Sequence, residues 1–546
     1  MISKAMKKTA TLALGGVLTC GVGLGLFVKP QQAVSQSQNN PELQIGIVQR
    51  FGTQPDDTIT LQAQPGDRLS VKVLMGDGQT QTLTTDNLKL EINMQKLPEP
   101  KLREKVVLST HRSFESAEDS ANYWRSRGIP VEVAQPEFWQ VWAKRDVYKD
   151  RVVRKLLLQT AQQQGSQTAF LDSETVTEQP RPSFTLNGFR YTRDRVEISS
   201  EQGVIQVNAN VRGDTTRRLY AGSLRLQPNA YGTFTLVNQV PTETYLRGVV
   251  PYEIGTRAAA PALEVQAILA RTYALRNLRR FAIDNYQLCA TTQCQVYYGL
   301  NGAASSTDRA IAKTRSLVLT YKDELVDAVY SSSTGGITAP FNDVWHGPNR
   351  PYLRAVVDSV RNTWDLSRNS LADEANFRRF IQQRQGFNED RQSNYFRWRQ
   401  ESSLSDLNRE LRQYLSAKKH PLADFQTIQR LDVTKRSPAG RVLQLTVKTD
   451  KGQVNIEKDE IRIAFDAPNS TLFYVEPVFQ SDRKSLKGVA FVGGGLGHGV
   501  GLSQTGTYHL SNIGWSSDRI LQFYYPGTQL QPLDGSITLW REPTAQ

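Results

Sequence analysis

Apolar and polar residues alternate with a period of two along much of the first half of the chain. Between 44 and 97, LQIGIVQRF, TITLQAQ, RLSVKVLMG and QTLTTDNLKLEINM each place apolar side chains on one face, with Gly, Asp and Pro between them. That pattern predicts strands. GDG at 76–78 marks a turn, and QKLPEPKLRE (95–104) reads as a linker. From 100 to 178 the rhythm changes. VVLSTHRSF reads as a strand, ESAEDSANYWRSRG (115–128) as a helix closed by Gly128, IPVEVAQ and FWQVWAKRD as two strands, VYKDRVVRKLLLQTAQQQG (147–165) as a helix and SQTAFLD as a last strand. This β-α-β-β-α-β order is the ferredoxin-like pattern. Between 183 and 240 the period of two returns in FTLNGFRYTRDRVEIS, GVIQVNANV, RRLYAGSLRLQPN and GTFTLVNQV. If 44–97 shares their sheet, the segment between them is an insertion in one larger domain.

The period switches at Val240–Phe281. Pro261 suits a first helical position, where no backbone N–H is needed. Leu263, Ala267, Ala270, Ala274 and Leu278 then recur at spacings of three and four, a narrow and mostly alanine stripe that permits close packing. Just before it, Val249, Val250 and Pro251 lead into Glu253 through a short stretch expected to be non-helical. A carboxyl among apolar residues near a helix entrance can have its pKa raised and donate a proton; the alternative is an ordinary solvated loop glutamate. Downstream, TDRAIAKTRS (307–316) predicts a helix and LVLTYKDELVDAVYSSS a strand pair. Residues 365–420 are arginine-rich and mostly helical, as in LSDLNRELRQYLSAKK, and are expected to be a solvated surface. LDVTKRSPAGRVLQLTVKTDKGQVNIEK predicts a hairpin turning at Pro438–Gly440. The fold class is α+β.

Several stretches, in order, carry a resemblance: YLRGVVPYEIG, VQAILARTYAL, CATTQCQVYYG (289–299), AVYSSSTGG (328–336), VWHGPNRPYL (344–353), GGGLGHGVGLSQTG (493–506) and ILQFYYPG (520–527). Together they resemble the stage II sporulation protein D family, which also contains the LytB amidase enhancers. The resemblance implies a strand-rich SpoIID/LytB-like catalytic domain over 183–540, organised around the helix after Glu253. It further implies a lytic transglycosylase of peptidoglycan glycan strands, preferentially strands stripped of peptides. In that chemistry one glutamic acid, matched here by Glu253, protonates the glycosidic oxygen. Its carboxylate then takes the proton of the sugar's own C6 hydroxyl, leaving a 1,6-anhydro end without a second carboxylate or a cofactor. Glu243 is the nearby rival and is expected to support structure. Arg271 would orient a carboxylate or the substrate's lactyl group, Tyr330 and Ser332 would offer hydroxyls to sugar, and His498 and Gln504 would lie in the substrate cleft. The 100–178 segment is similar to a SPOR domain, a small exported module that binds glycan strands lacking peptides. The rival readings are a non-catalytic amidase enhancer, with a cell-wall amidase as partner, and a wall-binding protein.

Composition narrows the setting. Lys4, Lys7 and Lys8 precede an uncharged run from Thr9 to Val28, so residues 1–35 read as a signal peptide or membrane anchor, with Ala33 and Ser35 as a small-residue cleavage site. Cys20 belongs to that run. The expected location is therefore extracytoplasmic, in the periplasm or cell wall, with membrane contact only through this segment. The net charge of +13 points to an anionic partner surface, but export and the lack of a nucleic-acid module favour the acidic polymers of a cell wall over DNA or RNA. Cys289 and Cys294 are expected to form a local disulfide or to remain free thiols. Family members that bind zinc here carry a histidine where this chain has Gln293, and two thiolates do not complete a tetrahedral site. GGGLGHGVG lacks the Lys-Ser/Thr of a phosphate loop, no G-x-S-x-G elbow is present, and the five histidines have no H-E-x-x-H spacing.

Overall fold

Strands from the two halves flanking residues 100–178 are neighbours in the same sheets. The computed structural model describes residues 40–541, except 76–77, 167, 362, 391–393 and 482–484. The 1–35 segment, and part of the GDG turn, lie outside the described residues. In a seven-stranded sheet, Glu42–Phe51 pairs antiparallel with Phe234–Pro241 and parallel with Leu288–Cys289, and Leu69–Leu74 pairs with Val196–Ser200. In the second sheet, Thr58–Ala63 lies between Val204–Val211 and Asn87–His111. Leu43, Ile45 and Phe51 of the first sheet and Ile59, Leu61 and Leu88 of the second share one fully buried core. QTLTTDNLKLEINM divides at Asp86: Thr80–Thr85 belongs to the first sheet, and the residues from Asn87 to the second.

The expected linker at 95–104 is strand. Asn87–His111 and Phe170–Leu186 run antiparallel as a long two-stranded ribbon into the 100–178 segment. The register jumps between Lys96 and Lys101, so Pro98 and Pro100 fall in the irregularity, where missing N–H groups cost no ladder bonds. Beyond it the sheet order is Phe170–Leu186, Asn87–His111, Trp139–Ala143, Val131–Ala134, all antiparallel. Helices Phe114–Ser126 and Arg151–Gln163 start at Ser113 and Asp150, whose side chains accept N–H bonds of the first turn.

The helix Ala260–Arg276 is apolar on more than the expected stripe. Leu263, Ala267, Ala270 and Ala274 face the strand core, while Val265, Ile268, Leu269 and Tyr273 face a second core built with Leu510, Ile520 and Tyr524. Every residue from Ala262 to Arg276 is buried. Two partners on opposite sides explain why its periodicity is weak. Leu278 lies past the helix end.

The arginine-rich 365–420 region is not merely a solvated surface. Phe377, Phe380 and Ile381 of helix Glu374–Gln382 and Leu407, Leu411 and Leu415 of helix Leu404–Ala417 pack into cores, and Glu389 is fully buried. Ile428–Arg436, Val442–Thr449 and Gln453–Glu457 form an antiparallel three-stranded sheet. Among the described residues, no helix is long and apolar enough to cross a membrane.

Candidate functional site

Glu253 sits on a short helix rather than in a non-helical stretch. Val250–Ile254 makes one helical turn, with Pro251 in its opening positions, and Gly255 ends it at φ +75°, a torsion that favours glycine. So short a helix cannot satisfy its own last carbonyls. They are met from the far end of the chain. Gln504 Nε2 donates to the Glu253 carbonyl (2.9 Å), and the Tyr508 hydroxyl donates to the Ile254 carbonyl. Both side chains come from helix Gln504–Asn512, whose N-cap is Ser503.

The turn points Glu253 into a cleft of about 430 Å³. The Val296 N–H donates to Glu253 Oε1 (2.8 Å), and the Tyr330 hydroxyl and Gln504 amide also lie against the carboxyl. Burial outweighs these three donors and pushes the Glu253 pKa up from 4.5 to about 7. A chain of hydrogen bonds fixes the donor on one side. The Tyr245 hydroxyl donates to Gln295 Oε1 (3.1 Å), and Gln295 Nε2 donates to the Tyr330 oxygen (3.0 Å). The Tyr330 proton is thereby directed at Glu253. Burial, first, and the Glu253 charge, second, hold the Tyr330 phenol well above its ordinary pKa, so it remains a donor.

Two other carboxylates line the cleft, and both are engaged. Asp459 accepts from Arg112 (2.8 Å) and Arg462 (3.0 Å), and Glu115 pairs with Arg280. Glu253 is thus the lining carboxyl without an ionic partner among the described residues.

His498 and Gln504 line the same cleft, as do Tyr330, Ser332 and Cys294. His498 has a positioning geometry. Its Nδ1 accepts the Val500 N–H (3.0 Å), its ring lies 4.9 Å from that of Trp345, and it bonds the Tyr330 carbonyl. Burial lowers its pKa to about 4, leaving it neutral. Gly499, at φ +71°, backs onto the Arg441 guanidinium, which a Cβ would meet at 2.4 Å. Ser332 is held through its main chain, its carbonyl accepting from Thr505 N and Oγ1. Ser331 is also in the lining; its hydroxyl is buried and has no hydrogen-bond partner among the described residues.

Arg271 is not in the cleft. It is 1% exposed and pairs with Glu243 through two bonds (Nε–Oε1 2.7 Å, Nη2–Oε2 2.8 Å), with Nη1 donating to the Leu317 carbonyl. Its fork is fully used inside the protein, so it has no geometry left for substrate. Cys289 and Cys294 form a disulfide with Cα atoms 5.7 Å apart. Gln293 accepts from Trp139 Nε1 (3.3 Å) of the 100–178 segment.

Several functional residues escaped sequence reasoning. Gln295 and Ser331 are next to residues singled out there, but their bonding is set by the fold. Glu389 lies in the arginine-rich stretch and is the anchor behind the serine run. It accepts from Ser333 Oγ (2.6 Å), Thr334 N (2.7 Å), Thr334 Oγ1 (2.8 Å), Gly335 N (2.9 Å) and the Ser503 hydroxyl. Asp358 sits beside it, its pKa raised by burial and then by the Glu389 charge.

The 100–178 segment supplies part of the cleft wall. Arg112, Ser113, Phe114 and Glu115 line it. The segment is pinned there by Arg280–Glu115, Arg279–Glu118 and Arg112–Asp459 ion pairs, and by Trp139 against Phe281 (5.2 Å). On the sheet face away from its helices, Val107, Ala134 and Trp142 pack on Tyr231 and Ile283.

A family model described as stage II sporulation protein matches residues 230–321, and one described as a domain of unknown function matches 339–501. The chain is 29% identical over 306 residues to a Bacillus subtilis protein named amidase enhancer, covering 52% of this chain and 40% of that protein. It is 22% identical over 384 residues to stage II sporulation protein D of Bacillus subtilis, covering 65% of this chain and 93% of that protein. A Brachyspira hyodysenteriae protein named as uncharacterized is 27% identical over 319 residues, covering 57% of this chain and 72% of that protein. The sporulation-protein match contains Glu253, Gln295 and Val296, and with these relatives it supports the likeness of the chain to the SpoIID/LytB family.

Proposed function

We propose that this protein remodels cell walls as a lytic transglycosylase, cleaving peptide-stripped glycan strands of peptidoglycan with Glu253 as the single acid and base. One observation carries the reading: Glu253 is a carboxyl in a cleft, lifted by burial to about 7, while the other lining carboxylates are tied to arginines. A group poised near neutrality can give a proton and take one back. Protonated Glu253 gives its proton to the glycosidic oxygen as the C1–O bond breaks. The carboxylate, held by Val296 N–H and Tyr330 O–H, then takes the proton of the C6 hydroxyl as that oxygen bonds to C1. The ionic engagement of Asp459 and Glu115 weighs against a two-carboxylate hydrolysis.

Residues 183–540 are assigned as the catalytic domain. Residues 100–178 are assigned as a ferredoxin-like, SPOR-like module, a reading supported by the antiparallel strand order described above. Its glycan contacts are placed at the cleft wall, because the helix-free face is packed against the body. An extracytoplasmic location follows from this substrate and from the character of residues 1–35. The test is digestion of purified glycan strands with mass spectrometry of the ends. Wild-type protein yields 1,6-anhydro-muramyl ends and Glu253→Gln yields none; equal product from both removes Glu253 from this role, and reducing ends would indicate hydrolysis.

The relative named amidase enhancer favours a second reading, a non-catalytic protein that stimulates a cell-wall amidase. Under it, the same digests contain no new ends from either protein, and amidase release of peptides rises with wild type and Glu253→Gln alike.

A further inference from the structure

A second cavity, also of about 430 Å³, adjoins the Glu253 cleft. Phe114 and Glu115 line both, so the first turn of helix Phe114–Ser126 forms the ridge between them. That ridge is fixed in place. Phe114 packs edge-on against Trp139 (5.1 Å), the Arg280 guanidinium lies 4.8 Å from its ring centre, and Glu115 is paired with Arg280. The far wall comes from the body, including Tyr321, Asn349, Arg350 and Trp540.

Most of the charges in this cavity are paired with one another. Asp327 is held by Arg350 (2.5 Å) and Arg276 (3.5 Å) and accepts the Tyr352 hydroxyl (3.1 Å), while Arg276 also pairs with Glu324. Glu118 is paired with Arg279, whose guanidinium lies 4.2 Å from the Trp540 ring. Lys322 and Arg541 also line the cavity and form no ion pair among the described residues, so they stay available to a free carboxylate such as the lactyl group of a peptide-stripped strand. The other available groups are neutral and planar or weakly acidic. The side chains of Asn349, Tyr321 and Trp540 line the cavity and make no hydrogen bond among the described residues, and neither does the carboxyl of Asp119. Burial raises the Asp119 pKa against the pull of His346, Lys458 and Arg350. Aromatic faces with unpartnered amide and hydroxyl groups match a sugar carrying hydroxyl and acetamido groups, and the two unpaired cations match its lactyl carboxylate.

We propose that this second cavity is a further saccharide subsite for the polymer cleaved at Glu253, so that one strand crosses the helix ridge and occupies both. The inference rests on reading the Glu253 cleft as a glycan site. It makes the inserted segment a determinant of chain length: a strand too short to cross Phe114 engages only the cleft.

The test uses the full-length protein and peptide-free glycan strands fractionated by length. Binding is measured in the Glu253→Gln background, where no strand is consumed, and cleavage is measured with Glu253 intact. Affinity is expected to climb with strand length, and Trp540→Ala and Asn349→Ala are each expected to weaken long-strand binding by about tenfold, flattening that climb. Both residues lie at the rim of the protein, and unchanged thermal unfolding of the variants checks that only binding is altered. If both variants keep the wild-type dependence on length while wild type still makes anhydro ends, the second subsite is refuted and the transglycosylase reading stands. If wild type neither binds nor cleaves any strand, the glycan reading of the cleft fails, and this inference fails with it.

Discussion

Replacing Glu253 by Gln should make the protein more stable at alkaline pH, and the size of the effect follows from burial. The folded pKa is about 7 against an ordinary 4.5, a gap of about 2.5 pH units, or roughly 3 kcal/mol at the full shift. The sign is fixed by linkage. A folded carboxyl with a raised pKa binds its proton more tightly than the unfolded chain does, so its contribution is intact below 4.5 and is lost as pH rises through about 7. Glutamine is neutral at every pH, nearly isosteric, and still offers an oxygen to the Val296 N–H. The stability difference between variant and wild type should therefore be near constant below pH 4.5, grow between 4.5 and about 7, and level off above that, with roughly 3 kcal/mol as the ceiling. Urea unfolding of both proteins at a series of pH values measures it, and the other titrating groups cancel in the difference. Parallel curves would refute the argument that Glu253 is desolvated, whatever the protein's activity. The glycan-cleaving rate should in turn fall as pH rises past about 7, since the acid is lost.

Glu243→Ala and Arg271→Ala should each destabilise the protein by about 3–5 kcal/mol, with strong coupling in the double variant, because each leaves a buried charge alone. KM for glycan in the surviving protein should be unchanged; a raised KM for Arg271→Ala would return that residue to the substrate. Gln504→Ala strips the cap from the Glu253 carbonyl and should cost about 1–3 kcal/mol by thermal unfolding. Its kcat should fall more than its KM rises, as the acid loses its seat. The Cys289→Ser/Cys294→Ser double variant should lose less than about 3 kcal/mol, because the closed loop is short, and should retain its fold and most of its cleavage. Loss of the folded circular dichroism spectrum would contradict this.

The period-two pattern located most strands, because one face of each sheet meets a core and the other does not. Where both faces are covered, periodicity fades, and the helix Ala260–Arg276 shows only one of its two packing faces as a stripe. The ribbon at 95–104 looked like a linker because Pro98 and Pro100 are turn residues by habit; only the partner strand, some 75 residues away, reveals a ladder interrupted by a bulge. Glu253, Tyr330, His498 and Gln504 were legible as a group through family motifs, and the fold gathers them in one cleft. Arg271 orients a carboxylate, but that of Glu243 inside the protein, a partner its motif does not announce. The roles of Gln295 and Glu389 depend on bonds made across the fold, which no local spacing encodes. The arginine-rich stretch was read by charge, yet its phenylalanines and Glu389 face inward.

The hydrogen bond from Gln504 to the Glu253 carbonyl spans 251 positions of sequence. A nascent chain grows from its N-terminus, so Glu253 is made long before the residues that cap its turn and help close its cleft. Until helix Gln504–Asn512 docks, the glutamate is an ordinary solvated carboxyl, ionised at neutral pH and useless as an acid. On the proposed reading the acid is thus timed by the chain itself: Glu253 becomes competent only when the segment around Gln504 has folded onto it. Under that reading, chains cut short before Gln504 should not cleave glycan however well their strands had formed.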